Sequence, residues 1–439
     1  MKRLFVAILY VYCSGVLLAE SATPWQRPLT RNDVLTISAG KFYLDGKPFA
    51  EISFNKFDLF WSLYGERLNG RELTPENPMV QAQDKALRTL RKLGFRSIRF
   101  FAFPWGEDAA GKVQDPGSRK IIFEALDKTV ELCERNGIGV VWMLGCAQFT
   151  DAREHLKELC TDPQSANRKA LYSYLQQVID RYKGSPAVLM WEISNELTLA
   201  ADIGENGVFN GKRVPTLREV AGFYNDVANV IKRNDPLRLV NNGGSNPREY
   251  QWNLYKKKGW TRDTFGEQRK CFELLFKNSA IDVIDIHYYP ANMNGIVIAG
   301  ANGMTKLLGL TDYMAIAGQL KKPLMIGETG RALVPADNKE FWKDEPGYFR
   351  SLSDAKTALP WINSLLDDIV NAGVPLSYWW AYQSDREMDR NDPLRMDVSI
   401  ERNPEIVAAI AKANKRLKQK LGMPQQGRVC LPMHVWPGK

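Results

Sequence analysis

Eight short apolar runs, each followed by a longer stretch with helical periodicity, divide this sequence between residues 49 and 422. The runs are FAEISFNKF (49–57), SIRFFAF (97–103), GVVWML (139–144), AVLMWEIS (187–194), RLVNNG (238–243), DVIDIHYY (282–289), PLMIGE (323–328) and LSYWWAY (376–382). Between them lie amphipathic segments such as ENPMVQAQDKALRTLRKLG, RKIIFEALDKTVELCERNG and WINSLLDDIVNAG. Several close on Gly, a common helix stop. Strict strand-helix alternation implies an α/β fold with a parallel sheet, and eight units imply closure into a (β/α)8 TIM barrel. A doubly wound open sheet suits fewer strands and a glycine-rich first turn. Ahead of the first run, KFYLDGKPF (41–49) predicts a β-hairpin turning at Asp45-Gly46. The chain exceeds a minimal barrel of ~250 residues. The excess falls at 198–215, 245–264, 290–303 and 331–354, long βα loops that all follow strands and so belong to the catalytic face.

Composition bounds the rest. Of 439 residues, 44% are hydrophobic and 25% charged, which is ordinary for a globular protein. Lys2 and Arg3 precede LFVAILYVYCSGVLLA, so residues 1–19 have the form of a secretory signal peptide and imply a secreted or periplasmic protein. Its removal takes the formal charge from +9 to +7. The division is then signal peptide 1–19, catalytic domain 30–422 and C-terminal tail 423–439. No later segment reaches the ~18 apolar residues of a membrane span. The densest basic cluster, KKKGWTR (256–262), is short and has the form of a solvated loop, so no nucleic-acid partner is expected. A monomer is expected. Three histidines and no HExxH leave no catalytic zinc site, and neither G-x-S-x-G nor a phosphate-binding GK[ST] occurs. No metal and no cofactor are expected. Beyond Cys13, the cysteines are 133, 146, 160, 271 and 430, an odd number. Cys133 and Cys271 lie in amphipathic helices and should be free; Cys146 and Cys160 flank one loop and form the expected bridge.

A barrel presents the carboxyl ends of its strands to the active site, and this chain puts polar residues there. The second strand holds Arg99, the fourth ends in Asn195-Glu196, the sixth in His287-Tyr288-Tyr289, the seventh in Glu328, and the eighth holds Trp379-Trp380. Glycoside hydrolysis by two carboxylates needs them ~5–5.5 Å apart for retention or ~6.5–9.5 Å for inversion. Glu192 and Glu196 fail, because four residues of strand span roughly 13 Å. Glu196 and Glu328 are the pair that remains. Glu192 is expected to be structural, paired inside the barrel with an arginine, and Arg99 has two readings, that partner alone or a residue of the site. Phe103, Trp142 and Trp252 have the pattern of core aromatics. Trp61 and Trp105, just past the first two strands, are candidates for stacking on sugar.

WEISNEL, HYYP and GETG, in that order on strands four, six and seven, resemble glycoside hydrolase family 5 and its clan A relatives, the cellulase and β-mannanase barrels. The resemblance runs from the hairpin at 41 to the last helix. It implies Glu196 as acid/base, Glu328 as nucleophile, Asn195 on the sugar 2-hydroxyl, Arg99 supporting the nucleophile, His287 and Tyr289 as the strand-six pair, and Trp380 or Trp379 as the platform under the sugar. In place of the histidine that members often carry near the end of strand three stand Cys146 and Gln148. The implied activity is a secreted retaining glycoside hydrolase cleaving β-1,4-mannan or β-1,4-glucan. The alternatives are a relative acting on small β-glycosides or as a transglycosidase, and a silent carbohydrate-binding barrel. Retention needs one carboxyl ionised and one protonated; Arg99 should keep Glu328 ionised, and a like charge nearby should raise Glu196.

Overall fold

The computed structural model describes residues 28–104, 109–149, 155–203, 214–290, 296–330, 355–384 and 402–423. The segment expected to be a signal peptide, the tail beyond Met423, Trp105 and the loop at 331–354 lie outside the described residues.

A small antiparallel sheet comes first, formed by β1 (Thr36–Ser38), β2 (Lys41–Leu44) and β3 (Lys47–Phe49). Its second turn is the expected one, with Asp45 and Gly46 at φ of 56° and 68°. Six parallel strands follow: β4 (Glu51–Asn55), β5 (Ser97–Phe101), β6 (Gly139–Met143), β7 (Val188–Glu192), β8 (Leu239–Asn241) and β9 (Ile284–His287). A hairpin of β10 (Val297–Ala299) and β11 (Thr305–Leu307) hangs from the loop after β9. Two further parallel strands, β12 (Leu324–Thr329) and β13 (Leu376–Trp379), complete the eight. The ladder runs β8-β7-β6-β5-β4-β13-β12-β9, and a parallel bridge from Asn241 to Val283 joins its ends. The fold is a (β/α)8 barrel.

Every residue of these eight strands is buried, which is why they are continuous apolar runs rather than alternating ones. Alternate side chains supply two cores. Those pointing outward, among them Phe54, Phe100, Trp142, Trp191 and Trp379, pack beneath the helices. Those pointing inward, Val141, Leu189, Leu239, Val283, Met325, Leu376 and Tyr378, fill the barrel and continue into Leu35, Phe42, Leu44 and Phe49 of the N-terminal sheet. That sheet therefore plugs the floor, each such side chain contributing roughly 1.5–3 kcal/mol by burial. The helices start where the sequence offers caps. Asn77 and Asp115 accept backbone N–H bonds just ahead of Pro78 and Pro116, and Thr216 with Glu219 and Thr264 with Glu267 form capping boxes.

One expectation fails. Cys146 and Cys160 are not bridged; both are buried free thiols, as are Cys133 and Cys271. Arg168 fastens this segment instead, donating to the carbonyls of Leu159 at 2.7 Å and Cys160 at 3.0 Å while its guanidinium stacks 4.7 Å from the Phe223 ring. Burial pushes the Cys160 thiol up to about 12 and Cys146 higher still, so both are inert as nucleophiles.

Candidate active site

Several strands, among them β4, β7, β9 and β12, turn polar toward their carboxyl ends, and a network forms around Arg99. Its guanidinium is fully buried and reaches four residues. It holds Glu192 through Nε and Nη2 at 2.6–3.0 Å, Glu328 Oε1 through Nη1 at 2.9 Å, and the side-chain Oδ1 atoms of Asn55 and Asn195 at 2.8 Å each. Arg99 is thus both the partner of Glu192 and the support of Glu328, so the two readings of it are joined in one side chain. The planar fork makes this possible, since a lysine has no fixed geometry for several acceptors. Asn55 returns a bond from Nδ2 to the carbonyl of Gly327, bracing the residue before Glu328.

Glu196 and Glu328 meet over this base. Donor atoms of Glu196, His287 and Glu328 lie within 4.8 Å of one another, so a carboxylate oxygen of each glutamate stands that close to the other's. His287 Nδ1 is 2.8 Å from Glu196 Oε1 and 3.4 Å from Glu328 Oε2. The phenol of Tyr289 donates to Glu328 Oε2 at 3.2 Å. Burial and the nearby carboxylates push that phenol far above its ordinary range, so it stays a donor. Within the three, His287 Nδ1 and Glu196 Oε1 share a hydrogen bond, while Glu328 is bonded by Arg99 and Tyr289.

Local backbone geometry aims both glutamates. Glu196 sits at φ 52°, in the left-handed region that costs a non-glycine residue about 1 kcal/mol or more, and its N–H donates to the Gly243 carbonyl at 2.8 Å. Gly243 has φ 59° there, and a β-carbon on it would collide with the Ser194 carbonyl. On the other side, the ladder between β12 and β9 shifts register between Ile326 and Glu328. The Gly327 N–H donates to Asp285 Oδ1 at 2.6 Å, and a β-carbon on Gly327 would run into that carboxyl. The bulge therefore requires glycine, and it delivers Glu328 to the mouth.

The charges differ from the sequence expectation at Glu196. Burial pushes its carboxyl up, but the hydrogen bond from His287 and the positive charges of His287, Arg99 and Arg248 outweigh this and hold it below its usual value. Burial works to lower His287, yet the Glu328 and Glu196 carboxylates raise it. The raised acid expected from the sequence is therefore not found; each partner of the His287–Glu196 pair is shifted toward its charged form. A like charge does stand beside Glu196, but three cations face it.

The aromatic candidates separate. Trp380 is half-buried, with its ring 5.7 Å from Phe57 and 5.4 Å from Phe101. Trp61, also half-buried, stacks on the other side of Phe57 at 6.1 Å. Trp379 is a correction: strand alternation turns it outward into the helical shell, fully buried, with no face for a ligand. Trp105 lies outside the described residues. Cys146 and Gln148 fall in the turn after β6, Cys146 buried behind it and Gln148 half-buried.

Four residues of the network escaped the sequence reading: Asn55, Asp285, Asn246, whose amide donates to the His287 carbonyl at 2.9 Å, and Arg248. Asp285 carried a usable signal, because a residue two before His287 on a strand must face the same way one layer lower. Asn246 and Arg248 lie in a loop, where no periodicity marks them.

No family model matches the chain. Among curated proteins, the probable mannan endo-1,4-beta-mannosidase C of Aspergillus terreus is 26% identical over 235 residues, 48% of this chain and 54% of that protein. Mannan endo-1,4-beta-mannosidase 3 of Arabidopsis thaliana is 23% identical over 446 residues, 93% of this chain and 95% of that one. The chain spans little more than half the length of the first two curated relatives, 54% and 57%. Among solved structures, a glycoside hydrolase family 5 mannosidase from Rhizomucor miehei matches with a TM-score of 0.60 at 16% identity, covering 90% of this chain and 99% of that one. An endo-beta-1,4-mannanase from Thermotoga petrophila matches with a TM-score of 0.54 at 15% identity, over 85% and 78%. The resemblance to glycoside hydrolase family 5 barrels thus holds for the fold over most of the chain.

Proposed function

We propose that this protein is a retaining β-glycoside hydrolase that cleaves β-1,4-linked mannan. One observation carries the reading: two glutamates from different strands stand with carboxylate oxygens within 4.8 Å, the short separation that suits a nucleophile rather than a water-activating base. Mannan is preferred over glucan because the curated relatives are named as mannosidases. The leader-like residues 1–19 suggest that the enzyme works outside the cytoplasm.

The chemistry follows from the charges. Glu328, held by Arg99 and Tyr289, attacks the anomeric carbon, and the glycosidic bond to the leaving oxygen breaks. The leaving oxygen takes a proton from Glu196. At rest that proton sits on His287, 2.8 Å away, and sugar entering the mouth strips water from Glu196, favouring its neutral form. Glu328, now an ester, has lost its charge. Glu196 then removes a proton from water, which attacks the same carbon and releases the sugar with its original configuration. Asn195 is fixed by Arg99 next to the acid, where a sugar 2-hydroxyl belongs, and Trp380 and Trp61 offer rings beside the mouth.

NMR of mannan or mannooligosaccharide hydrolysis tests the proposal. The β anomer should appear first. First appearance of the α anomer would make Glu328 a base for water; absence of hydrolysis of any β-glycan would leave the barrel as a binding protein.

A further inference from the structure

A basic segment lies on the rim beside the catalytic cluster. Between Arg248 and Lys270 the chain carries seven basic and three acidic residues, a net of +4 within a chain whose total is +9. The segment follows β8 and so belongs to the same face as the glutamates. Its near end touches the site, where Asn246 bonds the His287 carbonyl and the Arg248 charge acts on Glu196. Its far end is open to solvent. Lys256, Lys257 and Lys258 are exposed, and Trp260 is 54% exposed.

Rings and cations alternate along it. Lys256 Nζ lies 5.1 Å from the Trp252 ring and 5.0 Å from Tyr255, while Lys270 lies 5.7 Å from Trp252. Arg262 is 5.9 Å from the Tyr250 ring, which meets Trp260 edge-on at 5.6 Å. Glu267 and Glu249 pair with Lys258 at 3.9 Å and Arg262 at 3.5 Å, whereas Lys256, Lys257 and Lys270 enter no ion pair among the described residues. The frame beneath is fixed. Buried Asp263 accepts from the N–H groups of Trp252 and Asn253 at 2.8 and 3.0 Å and from Gln268 at 2.9 Å. A solvated loop needs the lysines, but it does not need a tryptophan held in water among them. Rings take the faces of sugars and ammonium groups take anions, so the two together fit one class of ligand.

We infer that this rim segment is a second carbohydrate-binding patch, selective for polysaccharide that carries carboxylates, such as uronate-bearing β-glycan. Trp260 and Tyr250 stack on pyranose rings, and Lys256, Lys257 and Lys270 pair with the carboxylates. The inference rests on the proposed function for its choice of glycan over nucleic acid, which also binds cations and rings.

Affinity electrophoresis of the full chain, through gels containing galactomannan or carboxymethylated galactomannan, tests it without requiring turnover. The protein should be held roughly tenfold more tightly by the carboxymethylated polymer at low salt, and the combined Lys256→Ala, Lys257→Ala and Lys270→Ala variant should lose most of that difference. The same variant should hydrolyse unmodified galactomannan at the parent rate, and Trp260→Ala should be held less tightly by both polymers. Equal retention on the two polymers, unchanged retention of the triple variant, or equally tight binding of an oligo(dT) strand overturns the patch. If lysine-dependent retention is seen but no mannan is hydrolysed, the reading of the catalytic site fails and the patch stands.

Discussion

Two pairs of carboxylates occupy one barrel a single layer apart, and they are treated in opposite ways. In the lower layer Glu192 is fully buried, with both oxygens taken by Arg99. Asp285 beside it is also buried, and burial with the Glu192 charge pushes it well above the ordinary carboxylate range. In the upper layer the Glu196 side chain is 34% exposed and Glu328 is 9% exposed, and the positive groups there, Arg99 and His287, are shared between them. A carboxylate whose charge is wholly compensated holds the barrel together. One whose charge is only shared can change protonation or form a bond. Sequence distance does not separate these roles, for Glu192 and Glu196 are four residues apart.

The largest effect that would break this contrast concerns the upper pair. Glu328→Ala and Glu196→Ala should each lower kcat on mannan by at least ~10⁴-fold while leaving the melting temperature unchanged or raised, because neither residue is needed for packing. With an aryl glycoside and azide, Glu196→Ala should regain turnover as a β-glycosyl azide, and Glu328→Ala should yield the α product. A large loss of stability in either variant would put it in the same class as Glu192.

The next effect belongs to the lower pair. Glu192→Ala leaves a buried guanidinium facing only Glu328 and two amides, and removing one partner of a buried ion pair costs about 3–5 kcal/mol. Chemical denaturation should show this loss. Residual folded protein should keep Glu196 and Glu328 close enough to form the glycosyl-enzyme; a stable, inactive Glu192→Ala would instead make it part of the chemistry.

A smaller effect should appear in the pH profile. His287 is raised by its carboxylate neighbours and Glu196 is lowered by it, so the proton of the pair is kept until pH rises through the raised His287 value. The alkaline limb of kcat/KM therefore lies above the ordinary histidine range of about 6.5. In His287→Asn the proton has only Glu196 to sit on. The limb should move to lower pH, and an unmoved limb would show that Glu196 holds the proton alone. The sign for stability is the same: the His287 contribution is complete below its unfolded value and fades as pH rises through the folded one.

How much of this arrangement was legible follows from which period governed each residue. Strand ends are marked by apolar runs, so Arg99, Asn195, Glu196, His287, Tyr289 and Glu328 could be read, and the structure brings them to one mouth. The aromatic pair Trp379-Trp380 could not be divided by the same means, because which residue of a doublet faces outward is fixed only by the register. The bridge that was expected and is absent shows a different limit: sequence places two cysteines by a loop but cannot show that Arg168 already ties it down. Charge was the least legible of all. The protonation of Glu196 depends on His287 and Arg248, from other strands and loops, and no local pattern reports their distance.

The smallest effect is the sharpest test of the lower layer. If Asp285 is neutral, Asp285→Asn keeps the oxygen that receives the Gly327 N–H and replaces Oδ2, which has no partner among the described residues, with an uncharged group of the same size. Because its folded value is raised, the folded chain holds a proton that the unfolded chain gives up near pH 4. The wild type therefore loses stability as pH rises from the unfolded value toward the folded one, and the Asn variant does not. The two should melt together at pH 3 and diverge above it in favour of Asp285→Asn, with kcat altered by less than about tenfold, a difference of roughly 1.4 kcal/mol. The contrasting variant Asp285→Leu deprives Gly327 of its acceptor and should cost about 1–3 kcal/mol at every pH while displacing Glu328. If Asp285→Asn is instead destabilised, and more so as pH rises, Asp285 is an anion paired with Arg99, and the lower layer is then as charged as the upper one.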